Sequence, residues 1–249
     1  MAKFVTAEEA VSKIANGSVI ATSGFVGAIV PEHVLKALQH SFLEKGTPRD
    51  LTVMFAAGQG DGKEGGLNHF GEEGLLRCIV GGHYNLSPRV GKLIMENKIE
   101  AYNFPQGTMS QWFREIAGRR PGTITKVGLD TFVDPRVEGG RLNEKTPAER
   151  VEVLELGGEE WLWYKPCKLD VALIRGTTAD EDGNILMNEE IGTGEALAIA
   201  EAVHACGGIV IVQVKKIAQR GTLDPKEVKV PGVIVDYIVE SPAEDHRMT

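Results

Sequence analysis

A chain of 249 residues can bury a full hydrophobic core, and 42% apolar with 25% charged residues are globular proportions that exclude disorder and fibrous repeats. No run reaches the roughly 18 apolar residues of a membrane span, and the opening Met-Ala-Lys-Phe-Val-Thr lacks a secretory apolar core, so the reading is a cytoplasmic protein away from the membrane. A net charge of −8, with Arg119-Arg120 and Lys215-Lys216 the only tight basic pairs, argues against a nucleic-acid partner.

Thr6-Ala-Glu-Glu9 has the capping-box pattern and predicts a helix to about Ala15, ended by Gly17. Ser18 to Ser23 reads as a short apolar strand that breaks into a turn containing Gly24 and Gly27, where the backbone can bend tightly and come close to a ligand. Pro31 then opens a helix with Val34, Leu35, Leu38 and Phe42 at helical spacing. Leu51 to Ala56 is a second strand, running into the glycine-rich turn Gly58 to Gly62. Cys78 to Val80 leads into Gly81-Gly82, Pro88 to Asn97 is helical, and Ile99 to Asn103 runs into Pro105-Gln-Gly107. Met109, Trp112, Phe113 and Ile116 mark one helical face.

Residues 124–143 are rich in Gly, Asp and Arg and predict an irregular, partly extended insertion. Val151 to Leu156 and Trp161 to Tyr164 form a hairpin across Gly157-Gly158, Leu169 to Arg175 is a buried strand, and Asp182-Gly183 is a tight turn. Glu195 to Ala205 is a helix with Ala196, Leu197, Ile199, Ala200 and Val203 inward, Val210 to Val214 a core strand, and Pro231 to Glu240 a last strand. Strands alternating with helices predict an α/β fold, an open and mainly parallel sheet with flanking helices. One domain over residues 1–240 is expected, with 241–249 a polar tail or the start of a linker.

Known chemistries fail on spacing. Lys63 stands where a dinucleotide fingerprint begun at Gly58 needs Gly, and Ala57 and Glu64 break a P-loop ending at Gly62-Lys63. The six histidines contain no i,i+4 pair and the three cysteines (Cys78, Cys167, Cys206) no C-x-x-C, so neither metal nor disulfide is expected. Asp180 to Asn184 reads as a hairpin turn rather than a calcium loop, and Gly-x-Ser-x-Gly is absent. His204 and Cys206, two positions apart, diverge on a helix, which disfavours a thiol nucleophile with its base. What remains are three glycine turns at strand ends carrying Ser23, Gln59, Asp61, Asn103 and Gln106, a setting suited to a carboxylate or a thioester carbonyl.

Asn16-Gly17, Gly24-Phe25 and Pro31 also resemble the N-terminal signature of the family I coenzyme A-transferases, with Ser23 and Ile29 where that signature has Gly. The similarity continues through Asn103-Phe-Pro-Gln-Gly-Thr108, Gly128 to Arg136, Gly176 to Asp180 with Gly183-Asn184, and Gly207 to Val214, as in the first half of the single-chain enzymes acting on acetate, propionate and similar short acids.

The resemblance implies ping-pong transfer through a glutamyl-CoA thioester, with coenzyme A as substrate and no metal or redox cofactor. Gln106 would orient the substrate or its oxyanion. Ser23, Gly24, Phe25, Val26, Gly27, Gln59, Asn103 and Gly107 would line the acid's pocket with it. The nucleophilic glutamate belongs to the family's second half. Glu189 and Glu190 lie in Met187 to Gly192, which matches the first half, so this chain is expected to act only with a second, glutamate-bearing domain or subunit, and to oligomerise. A small-anion-binding domain without chemistry and a sugar-phosphate isomerase of related architecture remain as alternatives.

Overall fold

The computed structural model describes residues 2–247. The first half contains β1 (Lys3–Phe4), α1 (Ala7–Val11), β2 (Val19–Thr22), α2 (Glu32–Lys45), β3 (Leu51–Met54), β4 (Leu76–Gly81), α3 (Pro88–Met95), β5 (Glu100–Asn103), α4 (Gln106–Ala117) and β6 (Thr123–Thr125). The second contains β7 (Val151–Leu156), β8 (Glu159–Tyr164), β9 (Val171–Arg175), β10 (Thr178–Asp180), β11 (Ile185–Leu186), α5 (Ala196–Ala205), β12 (Ile209–Val214), β13 (Lys216–Ala218), β14 (Val228–Val230) and β15 (Tyr237–Glu240).

Eight strands form one sheet in the order β1-β15-β12-β9-β2-β3-β4-β5, and every pair in it is parallel. Side chains alternate between two cores as the period of a strand requires. Ile20, Val53, Ile79, Leu173 and Ile211 face α1, α2 and α3. Ala21, Met54, Val80, Ile174 and Val212 face α4, α5 and the antiparallel sheet β6-β8-β7. The open parallel sheet with flanking helices is therefore present, with a four-stranded sheet, β13-β10-β11-β14, added beside it.

From β2 the chain builds outward through β3, β4 and β5, and later returns to β2's other edge with β9 before building outward through β12 and β15. The order reverses between β2 and β9, and ligands of open α/β sheets collect at such a point, outside the carboxyl ends of the strands. Those ends carry the loops after Thr22, Met54, Gly81 and Asn103.

Several expected boundaries move. The capping box forms, with Glu9 N–H donating to Thr6 Oγ1 at 3.2 Å and Thr6 N–H to Glu9 Oε2 at 3.0 Å, but α1 stops at Val11 instead of Ala15. Ser12 donates its hydroxyl to the Glu9 carbonyl there, competing with the helix ladder. Leu197 is exposed on α5 rather than turned inward. The expected strand over 231–240 shortens to β15, because Gly232–Ile234 is a 3-10 turn. A Cβ at Gly232 would lie 2.2 Å from the Asp182 carbonyl oxygen, so the chain must pass that point as glycine.

The insertion beyond β6 has no regular strands, and buried Asp134 organises it. Its carboxylate accepts from Arg136 Nη2 at 2.8 Å and Nε at 3.0 Å and from the amides of Arg136 and Asp130. The Arg136 guanidinium holds that carboxyl well below the usual carboxylate range. Residues 241–247 lie against the domain, starting with Ser241 N–H donating to Val214 O at 2.8 Å.

Candidate active site

The loop after β2 is strained. Phe25 and Ala28 exchange backbone hydrogen bonds at 2.9 Å, closing a tight turn in which Val26 has φ 56°, and Ile29 follows with φ 60°. Left-handed φ is costly for β-branched side chains and persists where surrounding structure enforces it. The sequence placed the bend at the glycines; these two residues carry its left-handed backbone. The enforcing structure is the loop after β3: Val26 N–H donates to Gly58 O at 2.8 Å and Gly60 N–H to Val26 O at 2.7 Å, so the two loops are zipped together.

Gln59 lies beneath this zip, fully buried, with Nε2 donating to Thr22 O at 3.1 Å. Its carboxamide occupies the space a side chain at Gly24 would need: a Cβ there would sit 2.7 Å from Gln59 Cδ. Gln59 Oε1, Ser23 Oγ and Thr22 Oγ1 are buried without a hydrogen-bond partner in the structure. Unpaired buried polar atoms are few in native proteins, and three together mark a special site.

The neighbouring loops join the same surface. Gly58 packs against the ring of His83, and Gly82 against the Ala56 carbonyl and the backbone of Gln106. Asn103 donates its side-chain amide to Gly81 O at 3.1 Å and its backbone amide to Gly140 O at 2.8 Å. Gln106 and Gly107 are exposed in the first turn of α4, whose N-cap, Pro105, supplies no side-chain bond. The first amides of that helix therefore face outward without a side-chain cap, a setting that favours negative charge.

The structure thus brings the loops of all the expected residues together but sorts them by depth. Phe25 (51% exposed), Val26 (39%), Gln106 and Gly107 form the surface. Ser23 and Gln59, expected to present polar groups to a ligand, form the floor. Asp61 closes its own turn, accepting from the amides of Lys63 at 2.8 Å and Gly65 at 2.9 Å. Burial raises its carboxyl, and those amides outweigh this and hold it below its ordinary value.

Two cavities flank the loops. One of about 200 Å³ is lined by Gly27, Val30 and Gly60 with the acidic Glu32, Asp61, Glu244 and Asp245 against Lys36 and Arg247, an excess of negative charge that repels a carboxylate. The other, about 530 Å³, starts at Pro105 and Gly107 and follows α4 past Thr108 and Gln111 to Thr123 on β6. Its charged pair, Arg120 with Glu115 at 3.5 Å, is balanced. Among the described residues no group of three or more His, Cys, Asp or Glu is placed to hold a metal ion, and no helix is long and apolar enough to cross a membrane.

The glutamates near the loops are engaged. Glu32 accepts from His69 Nε2 at 2.7 Å and from the Gly66 amide at 2.9 Å. Glu189 lies between Lys215 and Lys216, which pull its pKa down to about 2. Glu190 is buried against Arg175 at 3.1 Å and His246 at 3.3 Å. Burial opposes its charge, and His246 and Arg175 prevail, keeping its pKa below the ordinary value. The cluster of Arg175, Glu190, Gln213 and His246 escaped the sequence reading; its one signal was an arginine closing the apolar run Val-Ala-Leu-Ile-Arg175.

Residues 4–241 match the family model described as coenzyme A transferase. A caffeate CoA-transferase of Acetobacterium woodii is 46% identical over 239 residues, covering 96% of this chain and 46% of that protein. The acetate CoA-transferase YdiF of Escherichia coli K12 is 40% identical, covering 96% of this chain and 45% of that protein. The solved acyl-CoA transferase YdiF of E. coli O157:H7, a thioester complex with CoA, superposes with a TM-score of 0.95 at 37% identity over 100% of this chain and 49% of that one. The chain spans about half the length of the curated relatives it matches.

Proposed function

The chain belongs to the coenzyme A transferase family, and we propose that it is the half of an acyl-CoA:carboxylate CoA-transferase that lines the carboxylic acid's pocket. Residues 1–240 are its domain, against which 241–247 are folded back. The carrying observation is the exposed Gln106-Gly107 turn at the uncapped start of α4, which meets the loop after β3 across Gly82, while the zipped loops lie where the strand order reverses between β2 and β9. There Gln106 and the outward amides can meet a carboxylate or a developing oxyanion, over a floor formed by Ser23, Gly24 and Gln59. Phe25, Val26 and Gly27 form one wall, and Asn103 holds the turn in place.

The nucleophile comes from a second domain or subunit. Glu32, Glu189 and Glu190 are each held in ion pairs or hydrogen bonds, which supports this reading. A partner glutamate attacks the acyl-CoA carbonyl and expels CoA thiolate, leaving a mixed anhydride. The thiolate attacks the glutamyl carbonyl, releasing the donor acid and leaving a glutamyl-CoA thioester. The acceptor carboxylate then runs the same two steps in reverse, taking the CoA and freeing the glutamate, with no resident cofactor taking part. The three free cysteines suit a reducing cytoplasm, and the exposed Phe25, Val26 and Ile191 suit a face covered in an oligomer.

Acetate and propionate are the first acceptors to test. The 530 Å³ cavity at Gly107 favours a second reading, an acid with a larger tail such as caffeate, the substrate in the name of the 46% identical relative. Neither isomerisation of a sugar phosphate nor anion binding without chemistry gains from the family match. Assays of this chain joined to a glutamate-bearing second half, with an acyl-CoA donor and acetate, propionate or caffeate, test the reading. New thioester is expected with at least one acid; no transfer to any of them by folded protein overturns it.

A further inference from the structure

Arg175 and Gln213 are register partners at the ends of β9 and β12, 1% and 0% exposed. Burying a guanidinium is expensive unless its donors are met, and those of Arg175 reach three separate segments. Nε meets Glu190 Oε1 at 3.1 Å, Nη1 meets Val30 O at 3.4 Å and Arg247 O at 3.2 Å, and Nη2 meets His246 O at 3.1 Å.

Gln213 works beside it. The N-cap of α2, Pro31, provides no side-chain bond, and Gln213 Oε1 accepts from His33 N–H at 2.9 Å and Val34 N–H at 3.4 Å in its place. With its oxygen so committed, Nε2 points to Asp245 O at 3.1 Å and to His246 Nδ1 at 3.4 Å. From α2, His33 and Lys36 also pair with Asp245. The downstream end of the strained turn and the segment around 242–247 are thus held by the same two side chains, and residues of both line the 200 Å³ cavity.

We propose that Arg175 and Gln213 are positioning residues that lock the 23–30 turn, the Glu190 loop and the 242–247 segment into one unit, so that the shape of the turn depends on where that segment lies. The inference rests on the proposed function only in taking the turn as a substrate wall. Its test needs no turnover, so a failure of the transferase reading leaves the outcome readable.

Amide hydrogen exchange on the whole chain, with Glu190→Gln, Gln213→Leu, Arg175→Met and Arg175→Lys, provides that test. The amides of Phe25, Val26 and Ala28 and those of Ser241 and His246 should quicken together, by about tenfold or more, while β4 and β5 keep their rates. Arg175→Lys, which keeps the charge beside Glu190 but reaches fewer carbonyls, should fall between wild type and Arg175→Met. A Leu162→Ala control on β8, which weakens the distant core, should not link the two segments. Independent exchange of the turn and the 241–246 amides, or one common factor for every amide, overturns the proposal. Should Arg175→Met fail to fold, Glu190→Gln and Gln213→Leu decide the matter alone.

Discussion

Where the strands of the eight-stranded sheet begin, carboxylates meet strand amides: Asp170 accepts from Val19 N–H at 3.0 Å and Asp236 from Val210 N–H at 2.8 Å. Asn16 accepts from the Arg49 amide, and Ser18 donates to Ala15 O. Where the same strands finish, three buried polar atoms are unpaired, two β-branched residues have left-handed backbone, and Phe25 and Val26 face outward. One sheet therefore has an end built for stability and an end that holds strain and spare hydrogen-bonding capacity. Such features survive where something outside the fold uses them, and the difference marks the candidate site without reference to any relative.

The sharpest way to break the contrast is Gly60→Ala. Gly60 has φ 143°, and its Cβ would lie 2.2 Å from the Leu86 carbonyl oxygen, so the zip must open at a cost of about 3 kcal/mol or more, seen as a lowered urea midpoint with transfer abolished. Gly24→Ala pushes on the pinned Gln59 instead, and should cost about 1 to 3 kcal/mol with a disproportionate loss of transfer rate. At the other end Asp236→Ala should cost about 1 to 2 kcal/mol and leave the kcat and KM of the assembled enzyme unchanged. A loss of transfer there equal to that of Gly24→Ala would dissolve the contrast. Val26→Gly should raise stability by roughly 1 kcal/mol through relief of the left-handed φ, and in doing so loosen the turn and slow transfer.

A further effect is an alkaline one, from two of the thiols. Burial pushes the Cys78 and Cys167 thiols from the ordinary 9.0 up to about 11. Their folded values exceed the unfolded ones, so the stability they contribute is intact below pH 9 and lost as pH rises through about 11. Urea midpoints at pH 8 and 10.5 should show the fall, and replacing both cysteines with alanine should flatten it.

Long, periodic elements were legible in the sequence. Val34, Leu35 and Leu38 announced α2, and Met109, Trp112, Phe113 and Ile116 announced the inner face of α4. The sheet β13-β10-β11-β14 was not, because strands of two or three residues show no period to read. Around the candidate site, glycine turns at strand ends pointed to loops that the fold brings together. Depth was not visible: Ser23 and Gln59 have the composition of a binding loop, and only the pairing of Val26 with the 58–60 backbone sends them under it. Val26 and Ile29 have left-handed backbone against the usual preference of β-branched residues for extended conformations, which tertiary contacts override here.

The position of β2 between β3 and β9 also has a kinetic side. One neighbour lies about thirty residues away in the chain and the other about 150, so β2 can pair on its first edge early, while its second edge waits for a distant partner. During synthesis, the turn after Ser23 has no complete support until Arg175 has left the ribosome. A nascent chain halted before that point carries most of the helices of the fold and a turn that still lacks part of its support.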